Sequence, residues 1–264
     1  MTPPETEVRA GVLEKIPQVS ESHDTTEILK RAISREENPS LDEIDLLVVA
    51  STVVSKCEGE KLHLSELDVS HRAHRVQDEI EKDTGEDRDP RFIEAVLRES
   101  SELLISSPFL LSVTHFGHVA PNAGIDRSNI EGEETVLLLP SDPSESAHRI
   151  SQELDIPVVV SDTCGRPFRK GQRGVAIGWS GFAAIEDWSG RKDLNGYELE
   201  ATEEAVADEA AAFANLLMGE GDDGTPATYF RDIQHLIPSD GRDELFRDRE
   251  DDLIRDALDG WKFK

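Results

Sequence analysis

The stretch Val158-Val159-Val160-Ser161-Asp162-Thr163-Cys164-Gly165-Arg166-Pro167-Phe168-Arg169-Lys170-Gly171-Gln172-Arg173-Gly174 sets the reading of the whole chain. Three consecutive β-branched apolar residues read as a buried strand. The strand leads into Ser161-Asp162-Thr163, three short oxygen-bearing side chains expected at its C-terminal end. Three glycines and four basic residues then fall within ten positions. A strand end that opens on a glycine-rich loop lets a ligand approach the backbone closely. In an acidic chain the clustered cations imply an anionic partner; a turn carrying solvated cations is the alternative.

Upstream, Asp142-Pro143 opens a helix that turns Ala147, Ile150 and Leu154 inward, and Val136 to Leu139 forms a strand before it. With the strand at 157–161 this strand–helix–strand unit would set two strands side by side. Further back, residues 8–16 form a strand stopped by Pro17, and Asp24 or Thr25 caps a helix with Ile28, Leu29, Ala32 and Ile33 on one face. Asp45 to Ser51 is a buried strand. Ala73, Val76 and Ile80 recur at helical spacing over Ser70 to Lys82. Pro90 starts another helix with Phe92, Ala95 and Val96 inward, and Phe109 to Val113 is a strand. Downstream, Val175 to Gly178 is a short strand and Asp187-Trp188-Ser189-Gly190 a hairpin turn. Thr202 is expected to cap a helix begun by Glu203 and Glu204, with Val206, Ala210, Phe213, Ala214 and Leu217 as its apolar face. From Asp243 on, Leu245, Phe246, Leu253, Ile254, Ala257 and Trp261 fit an amphipathic helix that docks on the body or on a second subunit.

The charge balance is extreme: 56 acidic against 28 basic residues in 264, a net charge of −28. Such a surface repels itself at low ionic strength and is screened in concentrated salt, so it reads as adaptation to a salty cytoplasm. It argues against nonspecific nucleic-acid binding, which needs an extended basic face. No apolar run approaches the roughly 18 residues that span a bilayer, and Met1 to Ile16 lacks an apolar signal-peptide core. Cys57 and Cys164 form no metal-binding spacing, and a reduced pair is expected. These features predict a cytoplasmic protein without membrane or nucleic-acid partners.

The common nucleotide and hydrolase motifs are absent: there is no Walker loop, no GxGxxG after a strand, no GxSxG and no HExxH. What remains is a set of hard oxygens, Asp126, Asp162, Thr163 and Glu220, with Lys56, Arg166, Arg169 and Lys170 as cations. Carboxylate and hydroxyl oxygens suit Mg2+ or Mn2+. A divalent ion with lysine and arginine is the usual apparatus for polarising phosphates. The alternatives are ordinary: Asp126 as a turn aspartate, Lys56 as a snorkelling surface lysine. His115 and His118 are given no role.

Several blocks together resemble the coenzyme F420-0:L-glutamate ligases, also called F420:γ-glutamyl ligases. They are Asn122-Ala123-Gly124-Ile125-Asp126-Arg127-Ser128-Asn129, Ser161 to Pro167, Gly171 to Gly178, Val48-Val49-Ala50-Ser51 and Val54 to Gly59, with Ala205, Asp208, Glu209 and the Gly219-Glu220 corner. The resemblance runs from about residue 12 to about 230 and carries an acidic, haloarchaeal character. It implies an α+β fold of mixed sheets and flanking helices, an intertwined homodimer and a ligase domain over 8–238; residues 239–264 have no counterpart in the family and are read from their own pattern as an acidic amphipathic helix or tail.

The same resemblance implies the reaction. GTP would phosphorylate the terminal carboxylate of F420-0 or F420-1, and the amine of L-glutamate would attack the acyl phosphate to give a γ-linked amide. Asp126 and Asp162 would bind one divalent ion, Mg2+ or Mn2+, and Thr163 and Glu220 a second, with K+ as a further ion; Asp126, Asp162 and Lys56 would be catalytic. Ile16, Pro17, Gln18, Val19, Ser51, Thr52, Lys56 and Asn129 would line the GTP site. So would the loop of Met218, Gly219, Glu220, Gly221, Asp222, Asp223, Gly224 and Thr225. The cluster Arg166, Arg169 and Lys170, a candidate from the residues themselves and not from the resemblance, would meet phosphates or the F420 phosphodiester. The chain departs from the family at Thr52, where lysine is usual, in the altered loop 115–121, and from Phe230 onward. The competing expectation is a nucleotide- or F420-binding protein that keeps the fold without turnover.

Overall fold

The computed structural model describes residues 7–35, 37–127, 132, 134–221, 223–233, 236–239 and 245–258. Strand β1 (Arg9–Val12) leads to α1 (Thr25–Ile33), whose start is fixed by Asp24: its side chain accepts the Glu27 amide, one of the donors a helix N-terminus leaves unpaired. Strand β2 (Leu46–Ala50) runs straight into α2 (Ser51–Glu58). After β3 (Lys61–His63) come α3 (His71–Thr84), capped by Ser70 and closed by left-handed Gly85, and α4 (Pro90–Arg98), capped by Asp89. Strands β4 (Ser100–Ile105), β5 (Leu111–Thr114), β6 (Val119–Pro121) and β7 (Thr135–Leu137) follow, then α5 (Pro143–Leu154) under an Asp142 cap. The long strands β8 (Val158–Arg166) and β9 (Arg169–Ser180) precede the short pair β10 (Glu186–Asp187) and β11 (Glu203–Glu204). Helix α6 (Val206–Met218), β12 (Ala227–Arg231) and α7 (Leu253–Leu258) complete the chain. It is an α+β fold of several sheets, as expected, and no described helix is long and apolar enough to cross a membrane.

Two compact units emerge: 1–57, 142–163 and 172–245 form the first, and 58–141, 164–171 and 246–264 the second. The first is built on a five-stranded sheet in the order β1-β12-β2-β8-β9, in which β2 and β8 run parallel and β12 is antiparallel to both β1 and β2. Its centre is the pairing of Leu47-Val48-Val49 with Val158-Val159-Val160, all fully buried. Strands covered on both faces carry such unbroken apolar runs. The second unit combines a three-stranded meander, β4-β5-β6, with the ribbon β3-β7 and the helix pair α3 and α4. Ile80, Phe92, Ile93, Val96, Leu110 and Val136 fill its core.

Several expectations are corrected. Strand β8 does not end at Ser161; it continues to Arg166 and turns through Pro167 and Phe168 directly into β9. The glycine-rich segment is therefore strand and tight turn, because hairpin pairing satisfies the backbone groups of these polar residues. The parallel neighbour of β8 is β2, whereas β7 pairs with β3. Glu203 and Glu204 do not open a helix: they pair with Glu186 and Asp187 as β11, and the Trp188 indole donates to Glu204 at 3.1 Å. The buried face of α6 is Ala207, Ala211, Ala214 and Met218, leaving Phe213 and Leu217 exposed. Close packing explains this, since a Cβ on Gly174 of β9 would lie 2.2 Å from the Ala211 carbonyl oxygen, and only small residues fit between strand and helix. In the tail, Phe246 packs near the rings of Phe116 and His118, while Leu253 and Ile254 are exposed. Helix α7 is held instead by Arg255, whose guanidinium pairs with Glu102 at 2.5 Å. Trp261 lies outside the described residues.

Candidate active site

The register of the five-stranded sheet explains why distant segments converge on one edge. Ala50 at the end of β2 lies opposite Ser161 on β8, so Ser51, the first residue of α2, and Asp162, still on β8, follow at the same edge. Strand β12 is antiparallel to β2, so its start lies at the same edge, where the Ala50 amide donates to the Pro226 carbonyl at 2.9 Å. The exit of β1 returns there too, with the Leu13 amide bonded to the Ala227 carbonyl at 2.8 Å. This one edge therefore gathers the segment after β1 (Ile16, Pro17, Gln18, Val19), the first turn of α2 (Ser51, Thr52), the Asp162-Thr163 pair, and the loop from Met218 to Thr225. The ends of parallel strands are common ligand sites because adjacent chain segments diverge there. Ser51 is buried, and Thr52, Lys56, Asp162 and Thr163 are half-buried. Helix α2 begins at this edge, and the first-turn amides of a helix, which lack partners within it, suit anions.

Helix α6 supplies the side chain that ties this edge together. Asn215 Nδ2 donates to Thr163 Oγ1 at 3.2 Å and to Glu220 Oε1 at 2.6 Å. Two of the expected metal ligands thus meet at a single amide. The helix is itself pinned to β9: Asp208 accepts the Ala176 amide through Oδ1 at 2.9 Å and pairs with Arg173 through Oδ2 at 3.4 Å. Asp208 thereby satisfies a backbone donor of an edge strand. Burial, reinforced by neighbouring Glu204, raises the carboxyl of Glu209 above its ordinary value in the first turn of α6. Gly219, with φ of 69° and ψ of −176°, turns the chain out of the helix so that exposed Glu220 reaches Asn215. The Thr225 hydroxyl closes the loop on the Met218 carbonyl at 3.2 Å.

Reading the sequence singled out neither Asn215 nor the structural part of Asp208. The available signal for Asn215 was a carboxamide in the otherwise apolar run Phe213-Ala214-Asn215-Leu216-Leu217. Asp126 lies in the second unit. Its amide and carbonyl exchange hydrogen bonds with Leu137 at 2.9 Å, so β7 fixes its backbone. Before it, Asn122, Ala123 and Gly124 all have positive φ, a tight turn that brings Gly124 against Leu139. Asn129 and Asp222 lie outside the described residues. Arg166, Arg169 and Lys170 are exposed around the β8–β9 turn, beside fully exposed Phe168. Among the described residues, no three His, Cys, Asp or Glu side chains converge as a ready metal cage. The oxygens that do converge, Thr163 Oγ1 and Glu220 Oε1 on the Asn215 amide, have the hard donor chemistry that suits Mg2+ or Mn2+.

An α+β chain with carboxylate and hydroxyl oxygens at a parallel-strand edge and a helix N-terminus beside them has the makings of a metal- and anion-handling enzyme. The comparisons with known proteins narrow this class. Residues 14–232 match the family model described as F420-0:Gamma-glutamyl ligase. A protein of Natronomonas pharaonis named Coenzyme F420:L-glutamate ligase is 50% identical over 256 residues, covering 97% of this chain and 98% of its own. Proteins of the same name from Halorubrum lacusprofundi and Archaeoglobus fulgidus are 52% and 44% identical, over 86% and 93% of this chain and 90% and 96% of theirs. The chain belongs to the F420-0:γ-glutamyl ligase family.

Proposed function

We propose that the chain is a GTP-dependent acid–amino-acid ligase that adds L-glutamate through a γ-linkage to coenzyme F420-0, and to F420-1, in the cytoplasm. The observation that carries this reading is the convergence of Ser51, Thr52, Asp162, Thr163 and Glu220 at one sheet edge in a chain half-identical, over nearly its full length, to a protein named for that activity. In the first step a terminal carboxylate oxygen attacks the γ-phosphorus of GTP, forming the acyl phosphate and releasing GDP. In the second the glutamate nitrogen attacks the acyl carbon; the C–N bond forms, the C–O bond to phosphate breaks, and the amine loses a proton. Phosphorylation is needed because a bare carboxylate resists nucleophiles, whereas phosphate is a competent leaving group.

The residues divide the work by position. The amides at the start of α2, with Ser51, Thr52 and Lys56, hold the nucleotide phosphates, helped by Ile16 to Val19, Asn129 and the 218–225 loop. Asp126 and Asp162 would hold one Mg2+ or Mn2+, and Thr163 and Glu220 a second, with K+ as a further ion. When bound, these ions neutralise the crowded oxygens of the transferring phosphoryl group. Asn215 orients the Thr163 hydroxyl and the Glu220 carboxylate toward that position. The active species in this reading is a homodimer.

The test is GTP- and glutamate-dependent lengthening of F420-0, followed by mass spectrometry in concentrated KCl. Asp162→Asn keeps the shape and removes a charge; turnover should fall at least 100-fold, each tenfold step being about 1.4 kcal/mol of transition-state stabilisation. Lys56→Ala should act mainly on the apparent KM for GTP, because a phosphate-holding cation acts in ground and transition states alike. Binding of GTP and F420-0 without GDP release would replace the ligase reading with that of a non-catalytic binder. A folded Asp162→Asn enzyme with wild-type turnover would remove the site assignment.

A further inference from the structure

The second unit contains a recess of about 500 Å3 beside the turn that presents Asp126, and the proposed function leaves its chemistry unused. Its walls carry Arg88, Phe92, Asn122 and Arg127, with Glu86 and Asp87 at its rim. Arg127 follows Asp126 in sequence, and its guanidinium carbon lies 4.3 Å from the centroid of the Phe92 ring. Asp89 also lines the recess, and its carboxylate, which feels the positive charge of Arg127, is hydrogen-bonded elsewhere. Its Oδ1 accepts the Arg91 amide and Nε, and its Oδ2 accepts Arg91 Nη2 at 2.9 Å. That hydrogen bonding by Arg91 is the main reason the Asp89 carboxyl is held below its ordinary range. Asp87 is likewise engaged, by the Gln77 amide at 2.8 Å. Among the described residues, Arg127 has no salt-bridge partner and rests on an aromatic face. Among the described residues, Arg88 pairs only with Glu86, at 4.0 Å through Nη2, and its buried Nη1 has no hydrogen-bond partner. Among the same residues the buried Oδ1 of Asn122, on a residue held at φ of 53°, has none either.

The recess therefore offers two under-used forked donors, one unsatisfied acceptor and an acidic rim. Buried polar groups without partners are uncommon and call for one. Guanidinium forks match carboxylates, often in bidentate fashion. An amide oxygen and rim carboxylates match an ammonium or amine N–H. A polyphosphate fits poorly, because Glu86 and Asp87 would repel it. An α-amino dicarboxylate brings its own positive group for those acceptors and two carboxylates for the arginines. We infer that this recess binds the incoming L-glutamate, with Arg88 and Arg127 on its carboxylates and Asn122 Oδ1 on its amine. The inference rests on the ligase reading for the identity of the amino acid, and Phe92 serves as the wall that keeps Arg127 extended.

The test separates binding from turnover. L-glutamate is titrated calorimetrically into the full-length protein in concentrated KCl, alongside glutarate, which lacks the amine. Wild-type protein should bind glutarate at least tenfold more weakly than L-glutamate. Arg127→Met and Arg88→Met should each weaken glutamate binding at least tenfold and raise its KM by a similar factor, leaving the KM for GTP and for F420-0 within twofold. Arg127→Lys, which keeps the charge and loses the fork, should fall between. Unchanged glutamate binding in both methionine variants, equal binding of glutarate, or a KM effect confined to F420-0 would overturn the inference. Should the wild-type protein bind L-glutamate in this arginine-dependent way and yet never ligate it, the ligase reading fails while the recess assignment stands. Arg127 is exposed, so its variant should fold, and the glutarate comparison needs no variant.

Discussion

Asn215 acts through geometry: a single amide nitrogen donates to a hydroxyl on β8 and to a carboxylate in the loop after α6, two groups 52 and 5 residues away in sequence. Replacing it with leucine keeps the approximate volume and frees both oxygens. Mn2+ affinity should drop about 10- to 100-fold, as for other partners that orient metal ligands; paramagnetic titration reads it, and a melting temperature within a few degrees of wild type would show that the fold survives. Unchanged Mn2+ affinity would mean that Asn215 only tidies the loop. His118 poses a different question at the same scale. It is 7% exposed between Phe116 and Phe246, and burial lowers its pKa from 6.5 to about 4. The folded state thus keeps the ring neutral, while the unfolded chain takes up a proton once the pH falls below about 6.5. Stability from this group is full above that pH and drains as the pH falls from 6.5 toward 4, by about 3 kcal/mol at the lower end. His118→Phe should flatten the loss in that window, measured by denaturant unfolding at fixed high salt; an identical pH profile would show that other groups control it. Neither role was legible in the sequence. A histidine's titration depends on what covers it, and here the covering Phe116 and Phe246 are 130 residues apart.

Among the elements, the close approach of β9 to α6 constrains most. The Cβ added by Gly174→Ala would sit 2.2 Å from the Ala211 carbonyl oxygen and 2.7 Å from its carbon, so backbone must move. Overpacking of this kind costs about 1–3 kcal/mol, and the displaced helix carries Asn215 and leads into Glu220. The variant should therefore lose several degrees in melting temperature and Mn2+ affinity together. Ala211→Gly should fail to rescue it, because the collision is with a carbonyl group and not with a side chain; rescue would place the constraint elsewhere. The same contact shows where local reading ends. The apolar runs Leu46 to Val49 and Val158 to Val160, the cap at Asp24 or Thr25 and the helix starts at Pro90 and Asp142-Pro143 were legible because each depends on neighbours in sequence, whereas the Ser70 cap went unread. The orientation of α6 was not, since hydrophobicity favours Phe213 and Leu217 for the buried face and only the nearness of Gly174 selects the alanines. Glu203 and Glu204 look like a helix start until Glu186 and Asp187 appear opposite them. Strand β8 looks finished at Ser161 until β9 supplies its partner. The convergence of Ser51, Asp162 and Glu220 depends on sheet order, which local patterning does not carry; the family resemblance implied a shared site but no order of strands.

Across the whole molecule the charge was legible from the start, and its consequence is quantitative. With 56 acidic and 28 basic residues, pairing every Lys and Arg one to one would still leave half of the acidic charge unbalanced. The exposed pairs that do form, such as Arg31 with Glu27 and Lys30 with Glu153, contribute at most about 1 kcal/mol each, and salt weakens them. Repulsion among the unmatched carboxylates has the opposite salt dependence and involves many more pairs, so it should dominate. The screening length is about 10 Å at 0.1 M salt and about 3 Å at 1 M, so repulsion between neighbours on the surface reappears as salt is withdrawn. The melting temperature should accordingly fall by ten degrees or more between about 2 M and about 0.05 M KCl, where the screening length is longer still. Ligase activity should fall in parallel. Sucrose at matched osmotic strength should restore little, because preferential exclusion strengthens burial without screening charge. A melting temperature independent of KCl would show that the acidic surface is already accommodated without screening. Recovery by sucrose as full as by KCl would instead trace the salt effect to solvent exclusion.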